Sequence, residues 1–439
     1  VLQHTFAQAR LPKKERVLLP INDPFYVPGV DQWESLPRGT ILDKREVTIA
    51  SLIPGTESEA KAYQLLYVTQ DLNEQPQASV TTIIVPKEPR LGRVISVQNA
   101  YDSPDPNCAP SYGLQHGAEG WSQQWNQVNL VFLLPYLRRG PVLNIPDFEG
   151  NNAAFAVGPQ SAYQTLDSIR AAKASSEITG IEEDANYIMF GYSGGALATE
   201  WATEFKTEYA DDLPIVGAVM GGPPTNISQT YHNVNNGSLA QLNVWAMLGL
   251  MNAFPEMDEW MRGDLRKDAY QDKQFLHALT RCSYPSDSLV VDLEYTNISA
   301  LFTNGDQFLT RFKEDIDRVG IMGQHITKDN NPGYPLAFFY GMRDDVIAPI
   351  DDVERLITKW KDEAGVKVDR FPIPGLDHVT ALGAGIPWSW GWMNNQFSNV
   401  EGLQGDLSTH DDLDLIEDAL KCDDQLVLET SHELSHELR

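Results

Sequence analysis

Cysteine is scarce: the 439 residues contain three, Cys108, Cys282 and Cys422. So small a set excludes a fold stapled by a disulfide framework, and a secreted chain could pair two and leave one over. Long hydrophobic runs are also missing. VNLVFLLPYL and LNVWAMLGLM are the longest. Both fall short of the roughly 18 apolar residues that span a bilayer, so they read as core or interface segments of a soluble chain. Positive charge is thin, with 33 Lys and Arg against 61 Asp and Glu, a formal net charge of −28. Phosphate binding needs a basic footprint, so nucleic acid is disfavoured as a partner, and so is electrostatic docking on anionic lipid. No internal repeat is found.

What is present supports a large core. Hydrophobic residues make up 42 % and aromatics 10 %, and the length suits one elaborated domain or two smaller ones. The acid is uneven: residues 401–439 hold twelve Asp and Glu against one Lys and one Arg. This reads as an acidic C-terminal extension, a solvated tail or surface helix. Asn226, Asn236 and Asn297 head Asn-x-Ser triplets, which are candidate glycosylation sites. The chain starts at Val1 without methionine or a visible signal peptide, which suggests processing. Together these features point to secretion.

Proline studs residues 11–42, LPKKERVLLPINDPFYVPGVDQWESLPRGTIL, so they read as an extended arm around a domain. Strand-like runs follow: AYQLLYVTQD, ASVTTIIVP, RVISVQNAYD, PVLNIPDFEG, ANYIMFGYSGG and PIVGAVMGGPP. Helical patterns such as SAYQTLDSIRAAKAS lie between them. Strands alternating with helices indicate an α/β fold with a mainly parallel sheet. From about residue 225 to 331 the patterns are helical, as in SLAQLNVWAMLGLMNAF and NGDQFLTRFKEDIDRVG. Strand patterns return in PLAFFYGMRDD and VKVDRFPIPGLDH, with PIDDVERLITKWKDEAG between them. The expected organisation is a discontinuous core, 1–224 and 332–400, a helical cap inserted at 225–331, and the extension 401–439.

Gly191-Tyr192-Ser193-Gly194-Gly195 is a G-x-S-x-G pentapeptide. Alone it is modest evidence, because a tight strand–helix turn with an idle serine has the same sequence. Its context strengthens it: a strand-like run precedes it and a small-residue helix follows. Such a turn projects the serine Oγ from the carboxyl edge of the sheet, and side chains at the flanking glycines would collide with neighbouring backbone. The helix N-terminus behind it favours developing negative charge.

A serine nucleophile needs a base and an orienting acid, in the chain order Ser, Asp or Glu, His. His378 follows the last strand-like run, whereas His410, His432 and His436 lie in the acidic tail. His378 is therefore the candidate base. Asp344 and Asp345 follow the preceding strand, and only one of two adjacent residues can serve; Asp344 is preferred. An oxyanion site needs two donors. The Gly194 N–H is the first. The second belongs to the loop after RVISVQ, where no HGGG-type glycines occur, and Asp102 is the candidate through its backbone or a protonated carboxyl. An ordinary turn residue is the competing reading of Asp102.

NAYDSPDPNCAPSY, NIPDFEG, GYSGGALATEWA and PIPGLDHVTA, in this order along the chain, resemble the fungal secretory lipases of the Candida antarctica lipase A type and the yeast lipase/acyltransferases. The likeness runs from about Asn22 to Phe397. It implies an α/β-hydrolase core with a helical lid and hydrolysis of fatty-acid esters. It also implies Ser193 as nucleophile, Asp344 as acid, His378 as base, and Asp102 and Gly194 as oxyanion contacts. It pairs Cys108 with Cys282. Two departures stand out. The helix RLITKWKDEAG lacks the cysteine of a second family disulfide, which leaves Cys422 without an evident partner. The acid loop ends Ala348-Pro349, where proline is commoner one place earlier, and this keeps Asp345 in play. The expected function is a secreted lipase using a Ser-His-Asp triad and an acyl-enzyme, with water or alcohol as acceptor and the lipid–water interface as a further partner. Such chemistry requires no cofactor and no metal. A non-lipolytic carboxylesterase, a peptidase of the same fold and a catalytically silent binding protein are the alternatives. Trp388, Trp390 and Trp392 read as residues packed on the sheet rather than as a lipid anchor.

Overall fold

The computed structural model describes residues 17–50, 60–119, 126, 129, 132, 134–267, 275–282, 293–347 and 349–402. Ala348, Cys422, the three tail histidines and the extension beyond residue 402 lie outside the described residues.

One nine-stranded sheet organises the chain. Its strands are β1 (Ile41–Val47), β2 (Lys61–Gln70), β3 (Pro76–Val85), β4 (Arg90–Gln98), β5 (Pro141–Pro146), β6 (Asn186–Tyr192), β7 (Ile215–Gly221), β8 (Leu336–Gly341) and β9 (Val368–Ile373). They lie in the order β1-β2-β3-β5-β4-β6-β7-β8-β9. The pairs β1–β2, β2–β3 and β3–β5 are antiparallel, and the strands from β5 through β4 to β9 are parallel. Parallel strands need crossovers, and helices supply them. Helices α1 (Gly158–Lys173), α2 (Gly194–Tyr209) and α7 (Ile350–Asp362) share one buried cluster, while α8 (His378–Val400) packs in a second. Successive side chains of β6 divide between the two: Tyr187 and Met189 enter the first, and Ile188, Phe190 and Tyr192 the second. Both faces of the central strands are therefore covered, which is why β6, β7 and β8 are almost continuously apolar.

Between β7 and β8 the described chain is helical. Its helices include α3 (Ile227–Val234), α4 (Gln241–Ala253), α5 (Pro255–Asp264) and α6 (Lys313–Gly320). They enclose a buried cluster of their own around Trp245, Leu248, Met257, Phe302 and Phe308. Helix α4 buries Val244, Trp245, Met247, Leu248, Leu250 and Met251, so little of it is left for solvent. The stretch NGDQFLTRFKEDIDRVG is not one helix. It forms Gln307–Arg311 and α6, with Phe312 between them in a non-helical conformation and its ring buried in the cluster.

Two elements differ from expectation. The proline-rich arm forms 3-10 turns and runs directly into a strand, β1. The charges of ILDKREV hide this strand, which occupies the sheet's edge and is not fully buried. The last helix starts at His378, although Pro387 and several glycines in ALGAGIPW suggest loop. Tertiary burial outweighs propensity here: Ile386, Met393 and Phe397 pack on the sheet. Trp388 stacks on Phe371 (5.4 Å), Trp390 meets Tyr136 edge-on (5.2 Å), and Trp392 donates to Asp369 (2.8 Å).

Candidate active site

The carboxyl ends of β4, β5, β6, β8 and β9 face one edge, where open α/β sheets place their sites. Ser193 joins β6 to α2 with φ 54° and ψ −121°, an unusual conformation for a residue other than glycine. The surrounding glycines permit this turn. A Cβ on Gly191 would lie 2.1 Å from the Gly195 carbonyl oxygen, and one on Gly195 would lie 1.9 Å from the Gln98 carbonyl oxygen. The serine N–H donates to the Gly221 carbonyl (2.9 Å) and its carbonyl accepts from Leu197 (3.0 Å), so both ends of the turn are fixed.

His378 comes from the opposite side of the edge. Asp377 caps α8: its side chain accepts the Thr380 N–H (2.9 Å), and its own N–H donates to Thr380 Oγ1 (3.2 Å). This reciprocal cap sets the direction of the helix's first residue, His378. The Thr380 hydrogen bonds hold the Asp377 carboxyl below its ordinary range. His378 Nε2 lies 2.8 Å from Ser193 Oγ, and Nδ1 lies 2.7 Å from Asp344 Oδ2. Asp344 Oδ1 accepts the Val346 and Ile347 N–H groups at 2.9 and 3.0 Å. This local turn fixes the carboxyl plane. With Asp344 as acceptor the ring proton sits on Nδ1, leaving Nε2 free to accept from the serine hydroxyl.

The two adjacent acids separate clearly. Asp344 and His378 are buried. Asp345 is exposed, and its carboxyl accepts the His378 N–H at 3.5 Å. The turn after β8 is pressed onto the loop after β9, with Met342 donating to Ile373 (2.9 Å) and Arg343 to Leu376 (3.0 Å). That contact brings Asp344 to the imidazole.

Asp102 is buried four residues beyond β4, with φ 44°. A Cβ on Gly194 would lie 1.9 Å from Asp102 Oδ1, so the carboxyl presses against the residue after the serine. Oδ1 has no hydrogen-bond partner among the described residues. Burial pushes this carboxyl up to about 7, with the charge of His378 pulling it back. A protonated Asp102 is a donor aimed beside Ser193, next to the Gly194 N–H at the N-terminus of α2.

Several residues at this edge carry no role on sequence grounds. Tyr192, the variable residue of G-x-S-x-G, donates its hydroxyl to the His378 carbonyl. Asp147 accepts the Ser111 N–H (2.9 Å) and the Ser111 hydroxyl, and burial pushes it up to about 7. Glu149 is buried beside Asp102. Asp147 and Glu149 lie in NIPDFEG, where two acids directly after the mostly apolar strand PVLNIP were the available signal.

Ser193, Gly194 and Asp102 line a cavity that reaches into the helical block. Its wall is mostly apolar: Phe155 and Leu197 meet Ile227 and Tyr231 of α3 and Met247 and Leu250 of α4. The block is tied to the Asp102 loop. Cys108 and Cys282 form a disulfide across 174 residues. Ser103 Oγ donates to the Arg281 carbonyl (3.2 Å), and Asn252 Nδ2 to the Pro104 carbonyl (3.0 Å). Asn226 caps α3 and is half-buried, whereas Asn236 and Asn297 are exposed. No helix among the described residues is long and apolar enough to cross a membrane.

A family profile described as "Secretory lipase" matches residues 114–405. Lipase 1 of Candida albicans is 32 % identical over 394 residues, covering 88 % of this chain and 82 % of that protein. A secreted triacylglycerol lipase of Malassezia furfur is 31 % identical over 399 residues, covering 89 % and 79 %. Among solved structures, Candida antarctica lipase A in its closed state superposes with a TM-score of 0.75 at 24 % identity, covering 89 % of this chain and 88 % of that one. At that identity the likeness speaks for the fold, an α/β-hydrolase sheet with its helices.

Proposed function

Since the chain belongs to the secretory lipase family, we propose that it is a secreted serine hydrolase that cleaves fatty-acid esters of the triacylglycerol class. The observation that carries this reading is the 2.8 Å approach of His378 Nε2 to Ser193 Oγ at the mouth of an apolar cavity. Ser193 attacks the ester carbonyl while His378 takes its proton. Asp344 holds the imidazole orientation and stabilises the imidazolium. The tetrahedral oxyanion is met by the Gly194 N–H and the protonated Asp102 carboxyl. His378 then returns the proton to the leaving alcohol, and a second acceptor empties the acyl-enzyme. The helical block acts as a lid domain over residues 225–331, its apolar wall taking the acyl chain.

The same wall favours alcohols as acceptors. Against this apolar wall a bound short alcohol is placed at the acyl carbon, and His378 deprotonates it as it would water. Alcoholysis should therefore exceed the share set by the molar ratio of ethanol to water. The principal test is titration of fatty acid released from a triacylglycerol emulsion. Sustained release is expected. Turnover confined to short, water-soluble esters would overturn the lipase reading in favour of a carboxylesterase.

A further inference from the structure

The turn that carries Asp102 is held by a second buried acid. Glu149 follows β5, the neighbour of β4 in the sheet, and its side chain is fully buried. Its Oε2 accepts the Ser103 N–H at 3.4 Å, and the Asp102 N–H donates to the same carboxyl. The main chain of Glu149 is pinned in turn. Its N–H donates to the Tyr101 hydroxyl (2.7 Å), and its carbonyl accepts Gln160 Nε2 (2.8 Å) and the Ala154 N–H (2.9 Å). Tyr101 packs against Phe148 at 5.1 Å. The carboxyl thus has a fixed origin and a fixed target.

Asp102 needs such a hold. A left-handed backbone at a residue other than glycine costs on the order of 1–3 kcal/mol and persists only where its surroundings impose it. Glu149 contributes little to the core that an apolar residue could not. Its Oε1 is buried with no partner among the described residues, and burial together with the Asp102 charge pushes the group well above its ordinary range. A buried acid of this kind destabilises the fold, and the turn it grips is the one that sets the Asp102 carboxyl against Gly194.

We infer that Glu149 is a positioning residue for acyl transfer: it accepts from the Asp102–Ser103 turn and so holds the Asp102 carboxyl where the oxyanion forms. This rests on the reading of Asp102 as an oxyanion donor. Glu149→Leu removes the acceptor. Glu149→Asp withdraws it by one methylene and serves if the leucine variant does not fold. Glu149→Gln keeps an acceptor oxygen at the same reach. With active sites counted by a serine-directed phosphonate, Leu and Asp should lower kcat per labelled serine by about tenfold to a hundredfold. KM should stay within about twofold, because substrate binding is not touched. Gln should rescue most of kcat. In an Asp102→Ala background the same Glu149 substitutions should cost less than about twofold more, since residues acting through one group are not additive. An unchanged kcat per labelled serine in the Leu and Asp variants, or a full multiplicative loss on top of a damaged Asp102→Ala, overturns the role of Glu149 alone. An Asp102→Ala enzyme with undiminished kcat overturns the oxyanion reading and this inference with it.

Discussion

The Asp102 carboxyl makes a prediction that a backbone-only oxyanion site would not. Burial raises it to about 7 against the pull of His378. Only the protonated form donates; the ionised form sets a negative charge beside a developing oxyanion. Activity that depends on this donor is therefore present below about pH 7 and lost above it. About one site in ten keeps the proton at pH 8 and about one in a hundred at pH 9, which is about 1.4 kcal/mol of transition-state stabilisation per pH unit. Asp102→Asn replaces the titrating donor with an amide N–H that keeps its proton throughout. The assay is kcat/KM for a soluble ester between pH 5 and 10, which reports ionisations of the free enzyme. The asparagine variant should lose the alkaline fall while remaining within about tenfold of the parent at its optimum. Asp102→Ala, with no donor at all, should fall by about 10²–10³. An asparagine variant with the parent's alkaline limb unchanged would refute the assignment, because the titrating group would then lie elsewhere.

Further outcomes follow from the same geometry. Asp344→Asn should cost about 10⁴ in kcat, whereas the exposed Asp345→Asn should stay within about tenfold of the parent; reversed ranks in a soluble-ester assay would reassign the acid. Replacing Cys108 and Cys282 by serine should lower denaturant stability by about 2–5 kcal/mol, and a non-reduced digest should yield the Cys108–Cys282 peptide; full stability without the bridge would contradict the estimate. Glu200 and Glu204 are buried on α2, where Trp360 Nε1 donates to Glu200 (3.2 Å) and the His325 N–H to Glu204 (2.7 Å). Burial and the Glu204 charge push Glu200 well above its ordinary 4.5. Its contribution is therefore fully present below about pH 4.5 and lost as pH rises through the folded value. Thermal midpoints should fall toward alkaline pH, and Glu200→Gln should flatten that fall; an unchanged slope would acquit the pair.

The sheet was legible where its strands are buried on both faces, because continuous apolar runs such as NYIMFGY and LAFFYG have no other short explanation. β1 was not, since an edge strand needs only partial burial and this one carries charges at four consecutive places, Asp43 to Glu46. The pentapeptide around Ser193 identified its own turn: the glycines are demanded by backbone contacts near 2 Å. Sequence preferred Asp344 while leaving Asp345 open, because the pressing of one turn on another is what turns the first of the two neighbours inward. The acids at 149, 200 and 204 escaped notice for a different reason. In sequence an Asp or Glu reads as solvated surface, and its burial is a property of elements brought together from far along the chain. For the same reason the start of α8 at His378 is hard to read from sequence, where Pro387 and the glycines speak locally and packing on the sheet speaks globally.

The central claim is that one hydroxyl, at Ser193, performs acyl transfer. It is tested most directly by treating the protein with a serine-directed phosphonate and following bound adduct and triacylglycerol hydrolysis in the same samples, with peptide mapping of the adduct. A single adduct at Ser193 and activity that falls in proportion to its occupancy are expected. Ser193→Ala should be folded, unlabelled and inactive. Full hydrolysis by protein whose Ser193 is completely modified, or an adduct that silences the enzyme from another serine, would contradict it.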